Sequence, residues 1–273
     1  IIVTDIAVIM IAQRVAPSLN IHISTQAGAH NTLSAKFYKN LGVKRVVLAR
    51  ETDDFDIADI KRNVDIEIES FIHGAICVSM SGACLLSSVS GGLSGNRGRC
   101  MQPCRKLYTA FDDANNYIKS GYLLSAADLA GDIDKPVDSL KIEGRLKRPE
   151  YVGVVTDYYR RMIEGKRADI NELKKIYNRG NFINKYQSCK DLIYPYTPNH
   201  IGIKIGNIIK VAEVKGYYSA EIKSNHTITK GDGLKILRNN IECGGSDVTS
   251  VKRKGENYIV PVSAGVKAGD EVR

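Results

Sequence analysis

Short runs of β-branched and aliphatic residues recur through the first two thirds of the chain, and most of them are followed by an amphipathic helical pattern. This alternation is typical of parallel βα units, because two parallel strands need a crossover that is usually a helix. Strands are predicted at 1–4, 21–25, 45–49, 65–69, 122–125 and 139–143. Helices are predicted at 6–15, 31–41, 55–62 and 150–164.

Two of these strands carry charge on alternate residues. Glu67 and Glu69 alternate with isoleucines, and Lys141 and Glu143 alternate with Leu140 and Ile142. A charged face is costly in an open sheet covered by helices on both sides, whereas the lumen of a βα barrel accepts paired charges. The pattern therefore favours a TIM-like (β/α) barrel over residues 1–194.

A closed barrel of this type has eight strands, and only six are predicted. The chain also begins with Ile1 inside a strand-like run. We therefore expect an α/β fold that lacks the first two βα units of the barrel, and we expect such a truncated chain to be inactive. A complete open sheet of six strands is the alternative.

After Asn199 the pattern changes to short alternating segments separated by glycine-rich turns. Such segments predict antiparallel strands, and 195–198 reads as a linker. We expect a small all-β barrel domain over 199–273. Its predicted strand segments are 200–211, 217–223, 233–237 and 248–262.

The composition is that of a basic globular protein, with 273 residues, a formal net charge of +9 and a pI near 9.1. Positive charge of this size favours a polyanionic partner. No apolar run is long enough to span a bilayer, and no signal peptide opens the chain. The sequence predicts a soluble, cytoplasmic protein without a membrane partner, and leaves its oligomeric state open.

Four of the six cysteines lie close together in a stretch, Phe71 to Ala110, that contains no Asp or Glu. Their spacing, C-x6-C-x15-C-x3-C, is too wide for a typical zinc knuckle and suits an iron–sulfur cluster better. A zinc site and unligated thiols remain alternatives. The four are Cys77, Cys84, Cys100 and Cys104, whereas Cys189 and Cys243 stand alone.

Polar residues follow several predicted strands, which is where a barrel enzyme places its active site. They are Ser24, Thr25, Gln26, Arg50, Glu51, His73, Ser125, Asp128, Glu143 and Arg145. His73 could act as a base or bond to a backbone carbonyl. Glu69 and Lys141 could form a structural ion pair or take part in catalysis. Neither an H-E-x-x-H motif nor a clear catalytic triad is present.

Several motifs together resemble peptidase family U32, the collagenase-like peptidases. The similarity lies in EIESFIHGAIC (67–77), SGACLLS (81–87), GNRGRCMQPCR (95–105), IHISTQA (21–27), RVVLARE (45–51), DSLKIEGR (138–145) and NRG (178–180). One position departs from the family pattern, since Leu93 stands where relatives often carry an arginine. The resemblance covers nearly the whole chain.

The family carries two functional labels, peptidase and RNA hydroxylase. The second implies hydroxylation of tRNA wobble uridine or of an rRNA cytidine, with prephenate as cosubstrate and an iron–sulfur (4Fe-4S) cluster. By this resemblance the ligands would be Cys77, Cys84, Cys100 and Cys104. The basic composition fits the RNA label better, because arginines suit both a polyanion and a dicarboxylate.

The leading hypothesis is prephenate-dependent 5-hydroxylation of wobble uridine in tRNA. A collagenase-like peptidase with a protein substrate, an rRNA hydroxylase and a non-catalytic scaffold that carries the cluster are the alternatives. The predicted catalytic residues are Glu69, His73, Lys141, Glu143 and Arg145. The predicted substrate- or anion-binding residues are Gln26, Arg50, Arg97, Arg99 and Arg105.

Overall fold

The computed structural model describes residues 1–145, 147–180, 182–185 and 192–273. The chain divides into two compact units. The first comprises Ile1–Ala168 together with Asn181–Pro198, and the second comprises Asp169–Gly180 together with Asn199–Arg273. None of the helices in the described part combines the length and the hydropathy of a membrane-spanning helix.

Three helices of the first unit, α1, α2 and α3, begin where a polar side chain caps the first turn. Asp5 and Asp53 each accept a hydrogen bond from a backbone N–H of the turn, and Asn31 forms a capping box with Ser34. Each such cap stabilises a helix by about 1 kcal/mol. The four predicted helices are confirmed to within one residue at each end. The helices are α1 (Ile6–Val15), α2 (Thr32–Asn40), α3 (Asp54–Asn63), α4 (Leu86–Gly91) and α5 (Pro149–Ile163).

Most strands of the first unit belong to one mixed sheet, and β5 and β6 form a separate hairpin. The strands are β1 (Ile2–Val3), β2 (His22–Ile23), β3 (Arg45–Val47), β4 (Glu67–Ala75), β5 (Tyr108–Phe111), β6 (Tyr117–Gly121), β7 (Asp128–Ala130), β8 (Ser139–Ile142) and β9 (Phe182–Ile183).

The large sheet begins with four parallel neighbours in the order β1, β2, β3 and β4. The long strand β4 then has two partners. Its first part pairs in parallel with β8, and its last part pairs antiparallel with β7, which in turn pairs with β9. The mixed α/β class is therefore confirmed, whereas the described strands of the first unit form an open path and no closed barrel.

The strand predicted at 122–125 is wrong. The Ser125 N–H donates to the Tyr122 carbonyl at 2.9 Å and closes a turn there. The chain enters the sheet only at Asp128, where β7 runs against the end of β4. The apolar run at 122–124 fits a strand pattern, but it lies in this turn. The strand that does form, β7, has only three residues and is too short to show alternation.

Successive residues of β3 point to opposite faces of the sheet and belong to two different hydrophobic clusters. Both faces of the sheet are therefore covered. Val46 packs with residues of α1 and α3, whereas Val47 packs with Phe71 and Leu129. Burying one such aliphatic side chain contributes about 1.5–3 kcal/mol. The first cluster includes Ile9, Ile23, Val46, Ile57 and Ile68, and the second includes Val47, Phe71, Ala127, Leu129 and Ile183.

The second unit contains one antiparallel sheet and, from its first segment, a short helix. The sheet has the order β13, β12, β16, β10, β11, β15 and β14, so the all-β character predicted for 199–273 is observed. The hydrogen-bonded path does not close in the described residues. The elements are α6 (Ile170–Ile176), β10 (Gly206–Val214), β11 (Tyr217–Ser224), β12 (Gly233–Arg238), β13 (Ile241–Asp247), β14 (Lys252–Lys254), β15 (Asn257–Val262) and β16 (Glu271–Val272).

The hairpin between β12 and β13 shows why this sheet forms. Asn239 and Asn240 both have positive φ, at 51° and 65°, which is the conformation of a two-residue turn that matches strand twist. Asparagine tolerates this region better than most residues. The turn brings β13, which the sequence pattern alone does not reveal, against β12.

Candidate functional site

The carboxyl ends of β2, β3, β4 and β8 lie along one edge of the parallel part of the sheet, and the loop 77–104 starts from that edge. We call this loop the cysteine loop. Two hydrogen bonds tie it to Glu51, which follows β3. The Ser81 N–H and the Ser81 hydroxyl each donate to the Glu51 carboxylate, both at 2.8 Å. The edge is the usual position of ligand sites in parallel α/β folds.

The cysteine loop also lies against the residues that follow β2. Gly82 has a φ of +81°, and a Cβ atom added there would lie 2.2 Å from the Gln26 carbonyl oxygen. Only glycine therefore fits this approach without movement of the backbone. The structure brings the Gln26 backbone to the loop, and a substrate-binding role for Gln26 stays a prediction. The Asn96 amide donates to the Gly82 carbonyl at 3.0 Å, which joins two parts of the loop.

Arg50 and Glu143 meet at this edge. The Arg50 Nη2 atom lies 3.2 Å from the Glu143 carboxylate, and the guanidinium lies 4.3 Å from the centre of the Phe71 ring. Glu143 also accepts a hydrogen bond from the Arg145 N–H at 3.1 Å. The Arg145 guanidinium donates to the Gly98 carbonyl of the cysteine loop. Two predicted site residues, Arg50 and Arg145, thus meet at the carboxylate of a third, Glu143.

Within the described residues, the buried side-chain polar atoms that lack a hydrogen-bond partner are Thr25 Oγ1, Arg50 Nε and His73 Nε2. All three residues lie in or directly after strands that end at this edge. Unsatisfied buried polar groups are rare, since each costs about 1–3 kcal/mol. Their concentration here is typical of a binding or catalytic site.

Glu69 and Lys141 form the predicted ion pair. The Lys141 Nζ atom lies 2.6 Å from Glu69, and Arg45 approaches the same carboxylate at 3.3 Å. Burial raises the pKa of Glu69, but Lys141 and Arg45 outweigh burial and hold this pKa below its usual value. The pair stabilises adjacent parallel strands, and a catalytic role for either residue stays a prediction.

His73 is buried, with 1% of its surface exposed, and lies among the rings of Tyr151, Tyr159 and Phe182. The Tyr159 hydroxyl donates to the Ile72 carbonyl at 3.0 Å, so it accepts from His73 Nδ1, 3.2 Å away. Burial lowers the pKa of His73 to about 4. The imidazole is therefore neutral at pH 7, and its enclosure is that of a core residue. Proton transfer by His73 stays a prediction.

The four cysteines of the loop lie near one another. Burial raises the pKa of Cys104, Arg105 opposes this, and the other three thiols add to it through their charges. All four are free thiols, and Cys100 is the most exposed. In the described part of the chain, no three Cys, His, Asp or Glu side chains are placed to hold a metal ion. Cys243 lies in the second unit, and Cys189 lies outside the described residues.

Cys100 lies in a setting that suits a thiolate ligand. Its sulfur accepts hydrogen bonds from the Gln102 N–H at 3.3 Å and from the hydroxyl of buried Ser87 at 3.7 Å. Ser87 in turn accepts from the Met101 N–H at 3.0 Å. Such donors stabilise negative charge on sulfur, as they do around thiolate-bound clusters. The hydrogen bonds thus support a ligand role for Cys100, whereas the four thiols as placed do not form a metal site within the described residues.

The loop arginines differ in what they contact. Arg105 is an internal anchor, since its guanidinium donates to the Ser125 hydroxyl at 2.6 Å, the Ala126 carbonyl at 2.5 Å and the Ile76 carbonyl at 3.3 Å. Arg97 and Arg99 are exposed, and among the described residues neither makes a side-chain hydrogen bond or ion pair. These two guanidinium groups are therefore available to an anion from solvent.

Sequence reasoning missed one residue that builds this site, Ser87, and named Glu51 only as a polar residue at a strand end. Glu51 holds the loop through Ser81, and Ser87 holds it through Cys100 and Met101. Ser87 is one of several serines in the loop, and nothing in the sequence singles it out.

The model of peptidase family U32 matches residues 1–191. The chain is 41% identical over 202 residues to the tRNA hydroxylation protein P1 of Bacillus subtilis, a match that covers 66% of this chain and 48% of that protein. It is 34% identical over 267 residues to a 23S rRNA 5-hydroxycytidine synthase of Escherichia coli, covering 88% of this chain and 40% of that protein. The chain thus spans less than half the length of these two relatives.

A third relative carries a different kind of name. The chain is 29% identical over 315 residues to a protein of Porphyromonas gingivalis named collagenase, and the match covers all of this chain and 75% of that protein. The matched family region, 1–191, includes the parallel strands, the cysteine loop and the residues assembled around Glu143. The chain belongs to peptidase family U32.

Proposed function

We propose that this chain takes part in the 5-hydroxylation of a pyrimidine in RNA, with the wobble uridine of tRNA as the substrate. The observation that carries the proposal is the pair of exposed, unpaired guanidinium groups of Arg97 and Arg99 on an acid-free loop at the strand ends. Arginines placed in this way bind phosphate oxygens and position a nucleic acid. The names of the two relatives that act on RNA support the same class of reaction.

We propose that Cys77, Cys84, Cys100 and Cys104 hold an iron–sulfur cluster, a 4Fe-4S cluster by family resemblance. The family resemblance and the hydrogen bonds to the Cys100 sulfur support this assignment. When bound, such a cluster supplies one-electron redox chemistry.

The chain's own residues bind and orient the substrate in this proposal. Arg97 and Arg99 contact the RNA backbone, and Arg145 holds the loop that carries them through its bond to Gly98. The side chain of Glu143 is 25% exposed, so a nucleotide at the edge can reach it, unlike enclosed His73. Glu143, held as an acceptor by Arg50 and the Arg145 N–H, is suited to accept a hydrogen bond from a base.

Prephenate is the proposed cosubstrate, because its two carboxylates suit the arginines near the edge of the sheet. This part of the proposal rests on the family resemblance and on the positive charge of the site. It predicts that hydroxylation depends on prephenate supply in cells.

The experiment is complementation of an Escherichia coli strain that lacks its own tRNA hydroxylation protein with the complete gene that contains this coding sequence. Mass spectrometry of nucleosides from separated tRNA and rRNA reports the product. Wild type is expected to restore 5-hydroxyuridine derivatives in tRNA. The Arg97→Ala/Arg99→Ala variant is expected to restore less than about a tenth of them, since each phosphate contact contributes roughly 1 kcal/mol or more.

Arg148→Ala is the matched control, because the Arg148 side chain is exposed and pairs only with Glu150 at 3.5 Å among the described residues. It is expected to behave as wild type. Product only in rRNA would select the rRNA alternative. Unchanged nucleosides in both RNAs, with the protein present and folded, would reject the hydroxylase proposal.

A peptidase is the second candidate, because the relative named collagenase matches along all of this chain. Gelatin cleavage by the purified protein is the test. The hydroxylase proposal predicts no cleavage above that of a mock preparation. Cleavage that Glu143→Gln or Cys77→Ser abolishes would establish the peptidase instead.

A further inference from the structure

A second feature of the first unit is a cavity of about 240 Å³ beside the residues that follow β3. Arg50, Phe55, Phe71, Leu129 and Lys135 line it together with Asn184. We call it the Lys135 cavity. It is smaller than the roughly 300–1,000 Å³ of pockets that take drug-sized ligands, so a nucleotide is too large for it.

Arg50 brings a partly satisfied cation to this cavity. One of its terminal nitrogens bonds Glu143, while its Nε is buried without a hydrogen-bond partner among the described residues. The Arg50 side chain is only 13% exposed. A buried guanidinium N–H without an acceptor is costly, and an acceptor inside the cavity would remove that cost.

Lys135 brings a second cation. Its ammonium group makes no side-chain hydrogen bond or ion pair within the described part of the chain. Burial lowers the pKa of Lys135, with Asp54 opposing and Lys185 adding to the effect. A desolvated ammonium that lacks a paired anion is unfavourable, and an anionic ligand would compensate it.

The two carboxylates that line the cavity are already engaged. Asp53 caps α3 by accepting a hydrogen bond from the Asp56 N–H at 2.7 Å, and Asp54 pairs with Lys185. Within the described residues neither carboxylate forms an ion pair with Lys135, although Asp54 and the more distant Asp132 act on it through their charges. The cavity also has an apolar floor, since Phe71 and Leu129 are 5% and 8% exposed.

We propose that the Lys135 cavity binds a small carboxylate that carries a hydrophobic body, with Arg50 and Lys135 holding the carboxylate. The apolar part lies on Phe71 and Leu129, and Asn184 offers an amide for a further polar group. Its use as the cosubstrate site of RNA hydroxylation rests on the proposed function. Carboxylate binding itself does not, because the cavity is lined by residues of β4, β7, the start of α3 and the loops beside them, and by none of the cysteine loop.

The test is isothermal titration calorimetry on the purified protein, without RNA. The probe is 3-phenylpropionate, with neutral 3-phenylpropan-1-ol and inorganic phosphate as comparison ligands. The carboxylate is expected to bind at least about tenfold more tightly than either, since only it combines the charge with the apolar body. Equal binding of the alcohol or of phosphate, or no binding of 3-phenylpropionate, would overturn the proposal.

Variants assign the binding to Lys135. Lys135→Met is expected to weaken 3-phenylpropionate binding about tenfold, and Lys135→Arg to keep it within about threefold. Lys36→Met is the control, because Lys36 is exposed on α2 and does not line the cavity. Unchanged affinity in a folded Lys135→Met variant would contradict the assignment.

These outcomes separate the two proposals. Tight carboxylate binding with no hydroxylated nucleoside in complemented cells would leave the cavity intact and reject RNA hydroxylation. Hydroxylated tRNA without binding of the carboxylate would support RNA hydroxylation and reject the proposal for the Lys135 cavity.

Discussion

Replacing Lys141 with methionine tests the charged layer between β3, β4 and β8. The change leaves Glu69 with Arg45 alone, at 3.3 Å, and removes the closer partner at 2.6 Å. Removing one partner of a buried pair costs about 3–5 kcal/mol. Because Arg45 remains and the Lys141 side chain is 28% exposed, we expect a loss of about 2 kcal/mol in the free energy of unfolding of the first unit.

Hydrogen exchange of β4 peptides measures this loss, because a global signal would mix the two compact units. A loss of about 2 kcal/mol predicts exchange about 30-fold faster at pH 7. Lys44→Met is the matched control, since Lys44 is 52% exposed and lies 3.7 Å from Glu67. Its expected cost is below about 1 kcal/mol.

Adding Glu69→Gln to Lys141→Met should recover part of the loss, because the unpaired buried charge is then removed. The pKa of Glu69 is lowered in the folded state, so the pair stabilises above the ordinary glutamate pKa and is lost as pH falls through the folded value. The reasoning would be refuted if Lys141→Met accelerated exchange no more than Lys44→Met.

Three further predictions concern the cysteine loop and His73. Gly82→Ala forces a Cβ within 2.2 Å of the Gln26 carbonyl oxygen and should make limited proteolysis of the loop at least about fivefold faster, whereas Gly95→Ala, whose Cβ would lie an ordinary 3.8 Å from the Cys100 Cβ, should change it less than twofold. Equal proteolysis of the two variants would contradict the loop contact. His73 has a folded pKa of about 4, so wild type should lose about 3 kcal/mol of stability between pH 6.5 and 4 that His73→Leu does not lose. Parallel pH profiles from chemical denaturation would refute this. Cys104→Ser should lower iron and sulfide in protein isolated without oxygen by at least about half, while Cys243→Ser, in the second unit, should not. Equal iron content would reject Cys104 as a ligand.

Local structure in the first unit can be predicted well from the sequence. Helices such as α1 follow from a capping residue and a buried stripe that repeats with helical period. The pairing of Glu69 with Lys141 follows from alternation, because both side chains must find a partner on a covered face. The meeting of Arg50 and Glu143 follows from their positions after parallel strands, whose ends share one edge.

What the sequence does not reveal depends on contacts between distant segments. The direction of β7 depends on its pairing with the last residues of β4, and a three-residue strand shows no pattern of its own. The enclosure of His73 depends on Tyr151 and Tyr159 of α5, far along the chain. Lys135 belongs to no recognisable sequence motif. Only the structure shows that it lines a cavity and that its ammonium group forms no ion pair within the described residues.

Mass spectrometry of tRNA nucleosides after an oxygen-free reaction tests the central claim most directly. The protein is purified without oxygen, incubated with prephenate, tRNA that lacks the modification and an extract of the hydroxylation-deficient strain that supplies a two-electron oxidant, and compared with its Cys104→Ser variant. RNA hydroxylation predicts new 5-hydroxyuridine at the wobble position with wild type and little or none with the variant. An unchanged uridine with wild-type protein that contains iron and sulfide would contradict it.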